Sequence, residues 1–129
     1  MVDWTTKLGD DVEEPITHFG YGWATQVCIL DEDGAIEKFI AAHDVGKVLN
    51  PQTLKGQMYG AIAQGLGYTF TEEVISEDGR ILNPNFRDYK LPTVGEMRFP
   101  IDLHFVETED ENGPFGAKGV GEPGLVPTA

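Results

Sequence analysis

Basic residues are scarce. Nine Lys and Arg stand against 22 Asp and Glu, a formal net charge of −13. A chain this negative argues against nucleic acid and anionic membrane surfaces as partners, because both need positive charge. Cysteine is nearly absent. Cys28 is alone, so no disulfide framework exists within the chain, which fits a reducing cytoplasm. No run approaches the roughly 18 apolar residues of a membrane helix, and the N-terminus has no signal-peptide pattern. Zinc-type Cys/His spacing, internal repeats and low-complexity segments are also missing. The GAKGVG stretch around Lys118 lacks the long glycine spacing and the following Ser/Thr of a phosphate-binding P-loop.

What is present suits one domain. The chain has 129 residues, of which 40% are apolar and 10% aromatic, enough to build a core. The acid residues cluster at Asp10–Glu14, Asp31–Asp33 and Glu107–Glu111, a pattern of solvated loops and hairpin tips. Residues 1–19 read as an irregular lead-in, with Trp4 and Leu8 as anchors, Pro15 as a helix breaker and His18 as a structural or exposed residue. From Gly20 to Leu30 the chain alternates with period two, both faces apolar, which predicts a strand covered on both sides with Cys28 as a small core residue. Asp31-Glu32-Asp33-Gly34 is a turn, and Ala35–His43 returns as the second strand of a hairpin.

Asn50-Pro51 supplies an N-cap and a first helical residue. The helix they open is expected to run to about Thr71, with Met58, Ile62, Leu66 and Phe70 recurring every four residues. Glycine is frequent in it, at 56, 60, 65 and 67. Each interior glycine costs roughly 0.5–1 kcal/mol against alanine. Such a helix calls for tight packing on a sheet, or for a cofactor approaching Gln57 and the nearby amides. Gln57 and Gln64 lie about two turns apart, near one face. Beyond it, Glu72–Ile75 and Arg80–Leu82 read as strands about a Ser76–Gly79 turn. Asn83 reads as the cap of a short helical turn to Tyr89, and Leu91–Gly95 as a connector. Phe99–Glu107 reads as a half-exposed strand with His104 on its wet face.

The most unusual stretch is GPFGAKGVGEPGLVPTA, residues 113–129. Glycine lets a backbone pass close to a ligand, and Pro123 holds Glu122 in extended conformations. Phe115, Val120, Leu125 and Val126 are expected to dry the surroundings of Glu122. A desolvated carboxylate acts as a base nearer neutral pH. By composition alone, a solvated Glu on a Gly-rich surface turn is the commoner arrangement.

Asp44-Val45-Gly46 with Leu49-Asn50-Pro51, then Gly56-Gln57-Met58-Tyr59-Gly60-Ala61 with Gln64-Gly65-Leu66-Gly67 and Glu72-Glu73, then Tyr89-Lys90-Leu91-Pro92, then Ala117-Lys118-Gly119-Val120-Gly121-Glu122-Pro123 form an ordered set. In this order and spacing the chain resembles the C-terminal part of the molybdopterin-binding subunit of the xanthine dehydrogenase / aldehyde oxidase family. The resemblance covers roughly residues 20–129.

That resemblance implies that Glu122 is the catalytic base beside molybdenum. It would take the proton of a metal-bound hydroxyl whose oxygen attacks an electron-poor carbon, while a hydride passes to a sulfido ligand. Electrons would leave through iron–sulfur centres to FAD on partner domains. Gln57 is implied as a molybdopterin contact, and Lys118 and Gly121 take a weaker cofactor or loop-shaping role. Gln64 is assigned to packing. The substrate implied is an N-heterocycle or aldehyde, a purine first.

Family subunits are several times longer than this chain, and most cofactor and substrate contacts lie on segments that it lacks. The expectation is therefore an α+β fragment of a larger molybdopterin-binding domain, β-hairpins with a Gly-rich helix packed on a mixed sheet. Residues 1–19 form its lead-in and 20–129 the domain portion. It would be inactive alone, would join the remaining molybdenum-subunit segments and the iron–sulfur and flavin subunits, and would self-associate through any uncovered apolar face. The rival reading is a small acidic binding or assembly domain without catalysis.

Overall fold

A computed structural model describes residues 21–111 and 113–128. The lead-in expected over 1–19, with Trp4, Leu8, Pro15 and His18, lies outside the described residues. The first hairpin forms as its alternation demands. Strand β1 is Ala24–Leu30 and β2 is Ile36–Asp44, paired antiparallel with Cys28 opposite Phe39. Asp31 Oδ1 accepts the amides of Asp33 and Ala35, and Gly34 takes φ +82°. That left-handed conformation is open to glycine at little cost.

Helix α1 spans Pro51–Phe70 without a break at Gly56. Asn50 caps it, its Oδ1 accepting from the amides of Gln52 at 3.0 Å and Thr53 at 3.2 Å. Strands β3 (Ser76–Glu77) and β4 (Arg80–Ile81) form a two-residue hairpin. Strand β5, Ile101–Val106, lies parallel to β2 and places β2 at the centre of a mixed sheet ordered β1-β2-β5. This is a small α+β arrangement of one helix on a mixed sheet.

The core forms where α1 meets β2 and β5. Leu54, Met58, Ile62 and Leu66 are buried along one helix row, because a spacing of four keeps side chains on one face. They pack on Phe39, Ala41 and Val45, with Leu103 and Phe105 of β5 beside them. Each fully buried apolar side chain contributes about 1.5–3 kcal/mol. Phe70, the last of the expected row, is instead 63% exposed.

Three local expectations are corrected. First, β1 is not covered on both faces: Trp23, Val27 and Leu30 are exposed and so is Cys28. Strand β1 is an edge strand and the helix core rests on β2 and β5; Ala24 and Gln26 are half-buried, Gln26 beneath the 124–128 segment, while residues 27–30 stay exposed. Second, Glu72–Ile75 is not a strand. The buried Asn83 ties it instead, its Oδ1 accepting from Ile75 N and its Nδ2 donating to Glu73 O. Third, Asn83 is therefore spent as a bridge, and Asn85 organises the following turn by accepting from Arg87 N and Tyr89 N. His104 is exposed on β5, as its alternation requires.

Candidate active site

The Gly-rich stretch folds back onto the end of β2. Ala117 bridges Gly46, Lys118 N donates to Val45 O at 3.1 Å, and Lys47 N donates to Gly116 O at 2.8 Å. Gly46 makes this approach possible. Its φ is +64°, and a Cβ there would collide with the Gly116 carbonyl and the Lys118 backbone. Two sequence segments some seventy positions apart, 44–46 and 116–118, thus share one backbone layer.

Lys118 does not point at open solvent. Its Nζ donates to Asp44 Oδ2 at 2.6 Å and to Thr108 Oγ1 at 2.8 Å. The side chains of the pair are 11% and 6% exposed. Burial alone would raise the Asp44 pKa, but hydrogen bonds from Lys118, Thr108 and the Gly46 amide, with the Lys118 charge, bring it below the ordinary carboxylate value. The ion pair fixes the entry to the Glu122 segment.

The exit is fixed from β1. Gln26 Nε2 donates to Gly124 O at 2.8 Å, and Gln26 Oε1 accepts from the Thr128 hydroxyl at 2.6 Å. Gly124 is buried against α1, where a Cβ would approach Ala61 Cβ to 2.8 Å. His43 Nε2 lies 3.4 Å from the same Gln26 nitrogen. That nitrogen is a donor, so a hydrogen bond between the two requires His43 Nε2 to accept. His43 is 1% exposed and its Nδ1 has no partner among the described residues. Desolvation lowers its pKa below 6.5.

Between entry and exit stands Glu122, exposed. The drying expected from its apolar neighbours is not supplied within this chain: Phe115 is 88% and Val126 75% exposed. Val120 turns inward onto the Val45–Leu54–Met58 cluster, and Leu125 is half-buried. An open cleft of about 200 Å³ joins the loop to the helix, lined by Gln57, Asn50 and Thr53 on one side and Ala117, Lys118 and Val120 on the other. Gln57 and Lys118, sixty-one positions apart, therefore face a common space. Gly56, Gly60, Gly119 and Gly121 have no atom within 4 Å of where a Cβ would stand, and none has positive φ. Gly65 and Gly67 differ, being held against Thr128 and Pro92. Gln64 donates to the Tyr68 hydroxyl on the exposed face of α1.

The remaining motif residues brace the scaffold. Tyr89 donates its hydroxyl to Glu72 Oε2 at 2.6 Å, and that bond, with burial and charge, pushes the Tyr89 pKa up to about 12. Among the described residues no group of three His, Cys, Asp or Glu could hold a metal ion, and no helix is long and apolar enough to cross a membrane. Sequence reasoning missed Asp44, Gln26, His43 and Thr128 as parts of this site. The available signal was a polar side chain on an apolar strand, which holds for Gln26 and His43.

The sequence pattern of the molybdopterin cofactor-binding domain matches residues 3–98. The putative xanthine dehydrogenase molybdenum-binding subunit XdhA of Escherichia coli is 35% identical over 73% of this chain and 13% of its own length. The 6-hydroxypseudooxynicotine dehydrogenase complex subunit gamma of Paenarthrobacter nicotinovorans is 37% identical over 84% of this chain and 14% of its own. Among solved structures, quinoline 2-oxidoreductase from Pseudomonas putida 86 superposes with TM-score 0.64 and 36% identity, covering 73% of this chain and 12% of that one. Reconstituted CO dehydrogenase from Oligotropha carboxidovorans gives TM-score 0.76 at 26% identity, covering 88% and 15%. The chain thus spans about 13–14% of the curated relatives it matches.

Proposed function

We propose, from the premise that this chain belongs to the molybdopterin cofactor-binding domain family, that it forms one wall of the active site of a molybdenum hydroxylase with Glu122 as general base. The observation carrying this reading is the cleft onto which Gln57 and the 117–120 loop converge, with Glu122 exposed two residues further on.

The residues fit the cofactor in two ways. Gly119 and Gly121, on either side of the cleft residue Val120, leave room that neither their backbone nor their neighbours demand, which suits close approach by a ligand. The described residues offer no metal-ligand cluster, so the pterin rather than these side chains would hold the metal. Bound molybdenum–molybdopterin would supply two-electron redox chemistry. Gln57 would bind the pterin through its carboxamide, and Gly121 would let it approach. Lys118 takes the loop-shaping role, since its ammonium is committed to Asp44 and Thr108. Glu122 would accept at a carboxylate oxygen the proton released when water-derived oxygen adds to an electron-poor carbon.

The substrate is an N-heterocycle or aldehyde, with purines the first to test. Relatives named for xanthine and nicotine, and structures named for quinoline and aldehyde oxidation, support that range. Relatives named as subunits of larger complexes support assembly with further subunits, and the partners we propose are the remaining molybdenum-subunit polypeptide and iron–sulfur and FAD subunits. The exposed apolar residues of β1 are open to such contacts or to self-association. Further polypeptide would also exclude water from Glu122, so the isolated chain would be inactive. A cytoplasmic setting rests on the lone Cys28. The test is Glu122→Gln in the assembled enzyme. Turnover should fall about 10²–10⁴-fold while molybdenum per chain, by elemental mass spectrometry, stays constant. Full activity would remove the base assignment and favour a binding module.

A further inference from the structure

The segment carrying Glu122 is anchored at both ends to one sheet. At its entry, Lys118 Nζ reaches Asp44 at 2.6 Å, at the end of β2. At its exit, Gln26 of β1 holds the Gly124 carbonyl at 2.8 Å and receives the Thr128 hydroxyl at 2.6 Å. Residues 119–123 between these anchors include Gly119 and Gly121, around which the chain is open. Val120 packs on the Val45–Leu54–Met58 cluster, and the exposed Glu122 beyond it takes its position from that contact and from the anchors on either side. The orientation of the Gln26 carboxamide is fixed as well. Reversed, it would set its oxygen against the Gly124 carbonyl and its nitrogen against the Thr128 hydroxyl oxygen, losing the amide–carbonyl bond.

We propose that Asp44 and Gln26 are positioning residues for the Glu122 carboxylate. This rests on the reading of Glu122 as the general base. Neither residue touches the reacting atoms. Asp44 acts through Lys118 and Gln26 through Gly124, so together they set where the carboxylate stands above the cleft. A base displaced by about 1 Å loses on the order of 10²-fold in rate. The loss falls on the chemical step, so kcat drops while KM holds.

The test uses Gln26→Met and Asp44→Asn, each close in size to the native side chain. Amide hydrogen exchange of residues 119–126 is followed in the 129-residue chain, with β2 and α1 as internal references. Kinetics per molybdenum are followed in the assembled enzyme. The expected result is exchange about tenfold faster in 119–126 alone, with kcat about 10–100-fold lower at constant KM and constant molybdenum content. Unchanged exchange, or wild-type kcat per molybdenum, overturns the proposal. Should Gln26→Met not fold, Gln26→Glu keeps the oxygen that receives Thr128, loses the donor to Gly124, and is read in the same way. Full activity of Glu122→Gln would defeat the base reading instead, and the exchange data would still decide whether these anchors hold the segment.

Discussion

Replacing Lys118 with Met isolates the ion pair that seats the Glu122 loop. The methionine keeps most of the aliphatic length and removes the charge. Asp44 then stays buried, at 6% side-chain exposure, with the Gly46 amide at 3.2 Å still donating to it. Removing one partner of a buried pair costs about 3–5 kcal/mol, and the retained amide bond argues for the lower end, about 3 kcal/mol. In a chain of this length that lowers the melting temperature by about 10 °C. The assay is a double-mutant cycle with Asp44→Asn, read by calorimetry and urea denaturation. The double variant should be more stable than the sum of the two single losses predicts, by about 1–3 kcal/mol, because neither charge is left alone. Raising salt from 0.1 to 1 M should change the coupling little, since buried pairs are poorly screened. A cost under about 0.5 kcal/mol for Lys118→Met, with additive singles, is the behaviour of an exposed surface pair. It would refute the argument that this bond fixes the loop.

Further outcomes follow from the same geometry. Burial lowers the His43 pKa below its ordinary 6.5, so as pH falls the unfolded chain takes up the proton first. Its stability contribution is therefore complete above about pH 6.5 and is lost as pH drops toward the lowered folded value; denaturation midpoints should fall between pH 7 and 5.5, and His43→Gln should flatten that slope. Gly60→Ala, in open space on α1, should stabilise the chain by about 0.5–1 kcal/mol. Gly65→Ala should destabilise it by about 1–3 kcal/mol, because its Cβ would stand 2.5 Å from Thr128 Cβ and 2.9 Å from Leu125 O; chemical denaturation of the two variants checks the opposite signs. Cys28, exposed on β1, should react fully with a thiol reagent without denaturant, and protection in the assembled enzyme would map a covering partner onto this face.

Local patterns in the sequence were enough for much of the scaffold. Alternation from Gly20 to His43 with an Asp-Gly turn specifies a hairpin, because strand period and turn chemistry are set by neighbouring residues. Asn50-Pro51 followed by Met58, Ile62 and Leu66 specifies where α1 begins and which row it buries. The ordered motifs from Asp44 to Pro123 specified the family, which the match over residues 3–98 establishes. Only the tertiary structure decided what those motif residues touch. Whether Lys118 meets solvent or Asp44, seventy-four positions away, depends on β5 lying parallel to β2 and returning the chain beside Gly46. The exposure of β1 and of Glu122 is equally non-local, since burial depends on which element comes to rest above a residue. Gln26 and Thr128, one hundred and two positions apart, carry no mutual signal along the chain, and they meet because the sheet and the closing loop bring them together.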